Sequence, residues 1–322
     1  MKNPYILIDG LNVFMRHFAA NPSKSLNGKL CGGIFGTLKN IQVLCEKFNP
    51  ERVIVCWEGG GSLRRRNLDK NYKEGRRPVK INRSEFNEGI PETIENRDDQ
   101  LKTLIYILNM TPVTQIYVND CEADDIISYL KLKYREKDKI IVTSDKDFYQ
   151  LIDEKTLIWS PNQKKLLDKN MILEKFNILP SNFCSARCFA GDQSDGIKGA
   201  KGAGFKVLSK RFPELSTQED LSVNDLINMA ESHIKSGAKL KLFSEIVKSK
   251  NEAIKNWKLM YLDTSMLSHD QVSSINYQDK KNKNSFNKMN LMRIMINEGL
   301  NQFDIHNFYL ILKVNLTGDL NV

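Results

Sequence analysis

The chain has 322 residues, 41% of them apolar, enough for one large domain or two moderate ones with a proper core. No apolar run approaches the roughly 20 residues of a membrane span, and the N-terminus enters a strand pattern with no basic, cleavable leader, so membrane and secreted proteins are both disfavoured. The formal charge of +9 is concentrated: Arg64 to Arg83 holds nine basic residues against Asp69 and Glu74, a local +7, while Lys198 to Arg211 holds five and no acid. Charge placed this way points to a polyanion entering from particular sides.

Along the chain, a strand is expected at 4–8, helices near 12–20 and 32–48, and a strand at Arg52–Trp57. After the basic segment and Pro91 come a helix near 92–109, a strand at Val113–Val118, a helix over about 122–136, a strand at 139–143 and a short helix from Lys146. Continuous β-branched runs such as Ile140-Ile141-Val142 suit buried strands, and the strand–helix alternation suits a parallel sheet covered on both faces. Beyond about residue 169 the strand signal fades. Helices are expected near 169–176, 181–190, 223–235, 239–262 and 288–298, with a long exposed loop over Ser268–Lys288. The six cysteines, at 31, 45, 56, 121, 184 and 188, show no zinc-type spacing and read as reduced thiols of a cytoplasmic protein.

Acidic residues follow the apolar runs: Asp9, then Glu122-Ala123-Asp124-Asp125, then Asp145-Lys146-Asp147, then Asp192 and Asp195. Carboxylates emitted from the carboxyl ends of parallel strands converge on one crevice. Like charges a few Å apart raise one another's pKa unless a cation lies between them, so a divalent-metal site is expected. Each cluster by itself also fits helix capping; their sum favours metal. Gly196, Gly199, Gly202 and Gly204 separate two helices, and such a hairpin either grips a duplex backbone through main-chain N–H groups or is a structural turn. Tyr72 among the cations of the first basic segment adds a surface on which an unpaired base could stack, the alternative being a solvated loop.

Together these pieces resemble the flap endonuclease, or 5′ nuclease, family, which includes phage 5′-to-3′ exonucleases and the N-terminal nuclease of bacterial DNA polymerase I. The matching pieces are IDGLN with Asp9, the downstream Arg16, the segment with Tyr72, Lys73 and Arg76, EADD at 122–125, TSDKD at 143–147 and GDQSDGIKGAKGAG at 191–204, in family order over about residues 4–212. The resemblance implies an α/β fold: a PIN-like parallel-sheet core over 1–180 with a helical arch at about 62–97, a helix-three-turn-helix DNA-binding region at 181–215 and an α-rich C-terminal region at 216–322.

It also implies roles. Asp9, Glu58, Glu122 and Asp124 would surround a first metal ion, Asp145, Asp147, Asp192 and Asp195 would face a second, and Asp125 would lie between. Glu58 stands where relatives carry aspartate, and Gly59, Gly60 and Gly61 would supply the slack for its longer side chain. Lys73, Arg76 and Arg16 would serve the scissile phosphate, and Tyr72 would stack on a base. Arg64, Arg65, Gly199, Lys201, Gly202, Gly204 and Lys206 would hold nucleic acid. The implied cofactors are two or more Mg²⁺ ions, replaceable by Mn²⁺, with room for K⁺ at the glycine-rich hairpin.

The implied activity is that of a structure-specific 5′ nuclease, acting as 5′-flap endonuclease and 5′-to-3′ exonuclease in replication or repair. Its partners would be DNA with a 5′ flap, a 5′ overhang or an RNA-primed junction, met by a monomer in the cytoplasm of a bacterial or phage-infected cell. No polymerase sequence follows, so a stand-alone nuclease is expected. A non-catalytic DNA-junction binding protein would have lost several acids, and a PIN-type ribonuclease would need neither arch nor hairpin. Gln302–Tyr309 has the spacing of a sliding-clamp peptide and equally that of an amphipathic turn packed on the core, with packing preferred. A sliding clamp and a single-strand-binding protein are the candidate protein partners.

Overall fold

The computed structural model describes residues 1–74, 94–281 and 287–317. In chain order the elements are β1 (Tyr5–Asp9), α1 (Gly10–Ala20), α2 (Gly32–Phe48), β2 (Arg52–Trp57), α3 (Leu63–Leu68), α4 (Ile94–Leu108), β3 (Thr114–Tyr117), α5 (Ala123–Lys133) and β4 (Lys139–Val142). A 3₁₀ turn (Lys146–Leu151) leads to β5 (Thr156–Ser160), β6 (Lys165–Leu167), α6 (Lys169–Phe176), α7 (Pro180–Ala190), α8 (Phe205–Arg211), α9 (Glu214–Thr217), α10 (Val223–Lys235), α11 (Lys241–Lys248) and α12 (Lys250–Met260). After a second 3₁₀ turn (Thr264–Met266) come α13 (His269–Lys281), α14 (Lys288–Asn297) and α15 (Ile305–Thr317). The described residues form two compact units, one of 1–60, 94–144, 266–281 and 287–317, the other of 61–74 and 145–265. No described helix is long and apolar enough to cross a membrane, and all six cysteines are buried free thiols.

In the first unit four parallel strands run in the order β3-β2-β1-β4, with Asp9 opposite Cys56 and Trp57 opposite Tyr117. Every residue of β1 and β4 is buried, which is why these runs carry no polar alternation. Parallel pairing brings the residues after each strand to one edge of the sheet, so Asp9, Glu58 and the start of α5 share that edge.

The exposed loop expected over 268–288 is instead α13, with 282–286 outside the described residues. Its role is to cover the edge strand β3: Gln278 donates to the Tyr117 carbonyl (2.7 Å) and accepts from the Tyr117 N–H (3.0 Å), replacing a neighbouring strand. One turn of charge locks it there. Asp279, 4% exposed, accepts from Arg52 at 3.0 Å, from Lys133 at 2.6 Å and from the Tyr134 hydroxyl. The Asp-Lys-Lys run gave no periodicity that could separate a helix from a loop.

In α15, Phe308 is fully buried and meets Phe303, which in turn packs on Phe35 of α2. The Gln302–Tyr309 stretch is therefore core packing, and Phe308 is unavailable to a clamp.

In the second unit, β5 and β6 form an antiparallel hairpin that the sequence pattern does not show. An aromatic cluster ties its site elements together: Phe183 of α7 meets Tyr149 of the first 3₁₀ turn at 5.2 Å, Phe176 of α6 at 5.2 Å and Phe205 of α8 at 4.9 Å. The single helix expected over 239–262 is broken at Ser249, because α11 packs on α10 whereas α12 packs on α7 and α3.

Burial alone would raise the Asp279 carboxyl pKa, but hydrogen bonds from Lys133 and Tyr134 and the charges of Arg52 and Lys133 outweigh it and hold the value below the usual range. A depressed folded-state pKa adds stability above the unfolded value and loses it as pH falls through the folded one. Asp279→Asn is therefore expected to lower unfolding stability by about 2–4 kcal/mol at pH 7, since it strands Arg52 and Lys133. In urea melts the gap from the parent should narrow below about pH 4.

Candidate functional site

In the first unit, the acids at the sheet edge are held partly by another motif and partly by their own. Asp9 ends β1 and caps α1, accepting from the Asn12 N–H at 3.2 Å and from the Thr143 hydroxyl at 3.1 Å. Asn12 in turn accepts from the Ser144 N–H at 3.1 Å and hydroxyl at 2.7 Å. The IDGLN and TSDKD motifs thus brace each other across β1 and β4. Glu122 caps α5, and its backbone N–H donates to Asp125 at 3.3 Å. Both are buried, with Asp124 half-buried between them. Capping and a functional role coexist here, since a helix N-terminus favours carboxylates whatever else they do.

Glu58 is half-buried directly after β2. Gly59, expected to add slack, does the reverse. Its N–H donates to the Cys121 carbonyl at 2.9 Å, its carbonyl accepts from Asp120 at 2.8 Å, and an added Cβ would lie 1.6 Å from the Val118 carbonyl oxygen. The loop after β2 is pinned to the loop before Glu122, which holds Glu58 and Glu122 at the same end of the sheet. Arg16 is half-buried on α1, and burial lowers its pKa.

In the second unit, Asp147, Asp192 and Asp195 each present one oxygen, all within 4.8 Å of one another. Asp145 caps the 3₁₀ turn and accepts from the Asp147 N–H at 2.9 Å. Asp192 and Ile197 pair back to back (2.8 and 2.7 Å), closing a small loop that presents Asp195. Asp192 Oδ1 accepts from the Ser194 N–H at 2.9 Å and hydroxyl at 2.6 Å.

Arg187, from α7, lies against both carboxylates, Nε on Asp147 Oδ1 and Nη2 on Asp192 Oδ2. The Asp147 contact is an ion pair without hydrogen-bond alignment, since neither of those two atoms has a hydrogen-bond partner. Burial first, and then the charge of Asp145, raise the Asp147 pKa to about 7 despite Arg187. Buried carboxylates crowded this way are hard oxygen donors short of positive charge, which fits a divalent cation.

The basic segment starts in this unit. Lys73 has a left-handed backbone (φ 61°), and its N–H donates to the Asp195 carbonyl at 3.2 Å. Its ammonium lies 5.0 Å over the Tyr72 ring. Arg76 lies outside the described residues, as do residues 75–93 of the arch expected at about 62–97. Arg65 is 1% exposed, with Nε donating to the Leu259 carbonyl at 2.7 Å. It is a structural anchor and unavailable to DNA. Arg64 is half-buried and donates to the Lys258 carbonyl at 3.0 Å.

At the hairpin, Gly199 sits so close to α7 that a Cβ would be 2.4 Å from the Phe189 carbonyl oxygen, so the chain's own packing explains it. Gly202 and Gly204 are exposed, with nothing near the place of a Cβ, and Lys201 and Lys206 beside them are exposed.

Three residues escaped the sequence reading. Arg187 is the lone charged residue in the mostly buried helix PSNFCSARCFA, and a buried Arg needs an acid partner; that signal was legible. Asn256 donates to the carbonyls of Cys188 (2.9 Å) and Lys198 (2.8 Å), and Lys255 pairs with Asp69 at 3.1 Å. One helix, α12, thus braces both the glycine hairpin and the base of the basic segment, and nothing local in its sequence announces it.

The family model of the 5′-3′ exonuclease N-terminal, resolvase-like domain matches residues 4–177. The chain belongs to this family. A 5′-3′ exonuclease of Buchnera aphidicola (subsp. Acyrthosiphon pisum) is 28% identical over 227 residues, 69% of this chain and 74% of that protein. The flap endonuclease Xni of Shewanella woodyi is 29% identical over 210 residues, 65% and 76% of the two chains. Among solved structures, the bacteriophage T5 flap endonuclease in a pseudo-enzyme-product complex with DNA and metal ions superposes with a TM-score of 0.65 at 20% identity, covering 90% of this chain and 98% of that one. That likeness gives the fold, a PIN-like α/β core on a mostly parallel sheet.

A folded-state pKa raised above the unfolded value means that the folded chain holds its proton longer, so this group's contribution falls as pH rises from about 4 to 7. In chelator, Asp147→Asn should be more stable than the parent by about 1–3 kcal/mol at pH 8 and nearly equal to it at about pH 4 and below, measured by thermal melts.

Proposed function

We infer that this chain is a structure-specific 5′ nuclease, cutting DNA at 5′ flaps and degrading 5′ ends, including RNA-primed ones, by metal-dependent phosphodiester hydrolysis. The observation that carries the reading is the convergence of Asp147, Asp192 and Asp195 within 4.8 Å in a member of this family, with Lys73 hydrogen-bonded through its backbone to Asp195. Asp9, Glu58, Glu122, Asp124 and Asp125 form one donor set for Mg²⁺ or Mn²⁺, and Asp145, Asp147, Asp192 and Asp195 form the other. Bound divalent cations supply the Lewis acidity that activates water and balances charge on the leaving 3′ oxygen.

The protein's own groups do the positioning. The Lys73 ammonium, with Arg76 from the sequence resemblance, is assigned to the scissile phosphate, where fixed cations count most as charge builds up, and Arg16 of the first unit is assigned to a phosphate contact. Tyr72 offers a stacking face to an unpaired base. Residues 181–215 hold the duplex: Gly202 is set by its left-handed backbone (φ 80°), while Gly204 leaves open space that neither packing nor backbone conformation demands, which allows a phosphate backbone to come close while Lys201 and Lys206 supply charge. The carbonyls of this hairpin are where K⁺ would bind.

With Asp147→Asn, cleavage of a 5′-flap DNA should fall by roughly 10²–10³-fold, while binding of the same junction persists. Turnover unaffected by this change or by excess chelator would end the reading. Equal cleavage of linear RNA would favour a ribonuclease instead. Independently, Gly204→Leu should leave the melting temperature within about 2 °C of the parent yet weaken junction binding by about tenfold or more, read by fluorescence anisotropy.

A further inference from the structure

We propose that Arg187 is an internal counter-cation of the acidic cluster: it stabilises Asp147 and Asp192 when no metal is bound and competes with a divalent ion for the same two carboxylates. The inference rests on reading this cluster as a metal centre.

Arg187 reaches the cluster because α7 packs on the 3₁₀ turn that carries Asp147. Its guanidinium spans two acids that are far apart in sequence, Nε on Asp147 and Nη2 on Asp192, and all three side chains are at least 87% buried. The choice of oxygens matters. Asp192 Oδ1 already accepts two hydrogen bonds from Ser194, which fills its lone pairs. The oxygen left to a cation is Oδ2, the atom that Arg187 contacts. A metal ion using that oxygen must displace or share the guanidinium. Because arginine stays protonated at any working pH, acidity cannot remove the competitor. The fixed charge therefore weakens metal affinity while it prevents two buried carboxylates from repelling each other in the metal-free chain.

Neutral glutamine at this position should reverse both effects. Arg187→Gln is expected to bind Mn²⁺ about tenfold tighter or more in calorimetric titration, and to melt several degrees lower in chelator. Arg187→Lys keeps the charge but cannot bridge both acids, so it should melt close to the parent in chelator and bind Mn²⁺ with an affinity between the parent and the glutamine variant. Mn²⁺ affinity no tighter than the parent in the folded variants overturns the proposal, as does an unchanged melting temperature of Arg187→Gln in chelator. If Arg187→Gln does not fold, Arg187→Lys decides alone by its Mn²⁺ affinity. A parent protein that binds no Mn²⁺ removes the metal-centre reading and this inference together, whereas a parent that binds as tightly as the variants removes only the inference.

Discussion

Carboxylates forced close together in a buried place repel, and the fold around Asp147, Asp192 and Asp195 is arranged to withstand that repulsion. The aromatic cluster of Tyr149, Phe176, Phe183 and Phe205 clamps the 3₁₀ turn to α7. Ser194 and the Asp192–Ile197 pairing hold the small loop closed. Arg187 supplies opposite charge from the helix alongside. Remove the apolar clamp and the acids would drift apart; remove the charge and Asp147 and Asp192 would lose the cation that balances them.

The first unit meets a related requirement by different means. Its acids are placed by the geometry of parallel strands, which delivers chain segments to one edge of the sheet; Asp9 is then fixed by Thr143 of another motif, and Glu122 and Asp125 by each other. Close backbone approach does the rest: the loop after β2 can be pinned to the loop before α5 only because residue 59 has no side chain. Along the β3 edge of the same sheet, the buried charge cluster around Asp279 and the Gln278 amide seal the strand. A helix from late in the chain thereby completes the sheet that the early segments began.

The region beyond the family match is where much of this support originates. In α12, Asn256 grips the backbone carbonyls of Cys188 and Lys198, Lys255 reaches Asp69 within the basic segment, and the carbonyls of Lys258 and Leu259 receive two arginines. A segment without recognisable chemistry thus sets the position of segments that have it. Arg65 shows the converse: one of three consecutive arginines, it was indistinguishable in sequence from a DNA contact, yet its guanidinium is consumed by packing.

What the sequence by itself determined was the chemistry and its order: which residues are acids, which strands are buried, where glycines interrupt helices, and that the combination belongs to 5′ nucleases. Those features are local, because strand burial, capping and glycine placement depend on neighbours a few residues away. What tertiary structure alone decided was the partner of each charged group: that Asp279 pairs with Arg52, that Arg187 sits between Asp147 and Asp192, that Arg65 is spent inside, that 268–281 is a helix and that Phe308 faces the core. The physical reason is that a charge finds its partner through space, across tens or hundreds of residues of chain, and no local pattern records that distance.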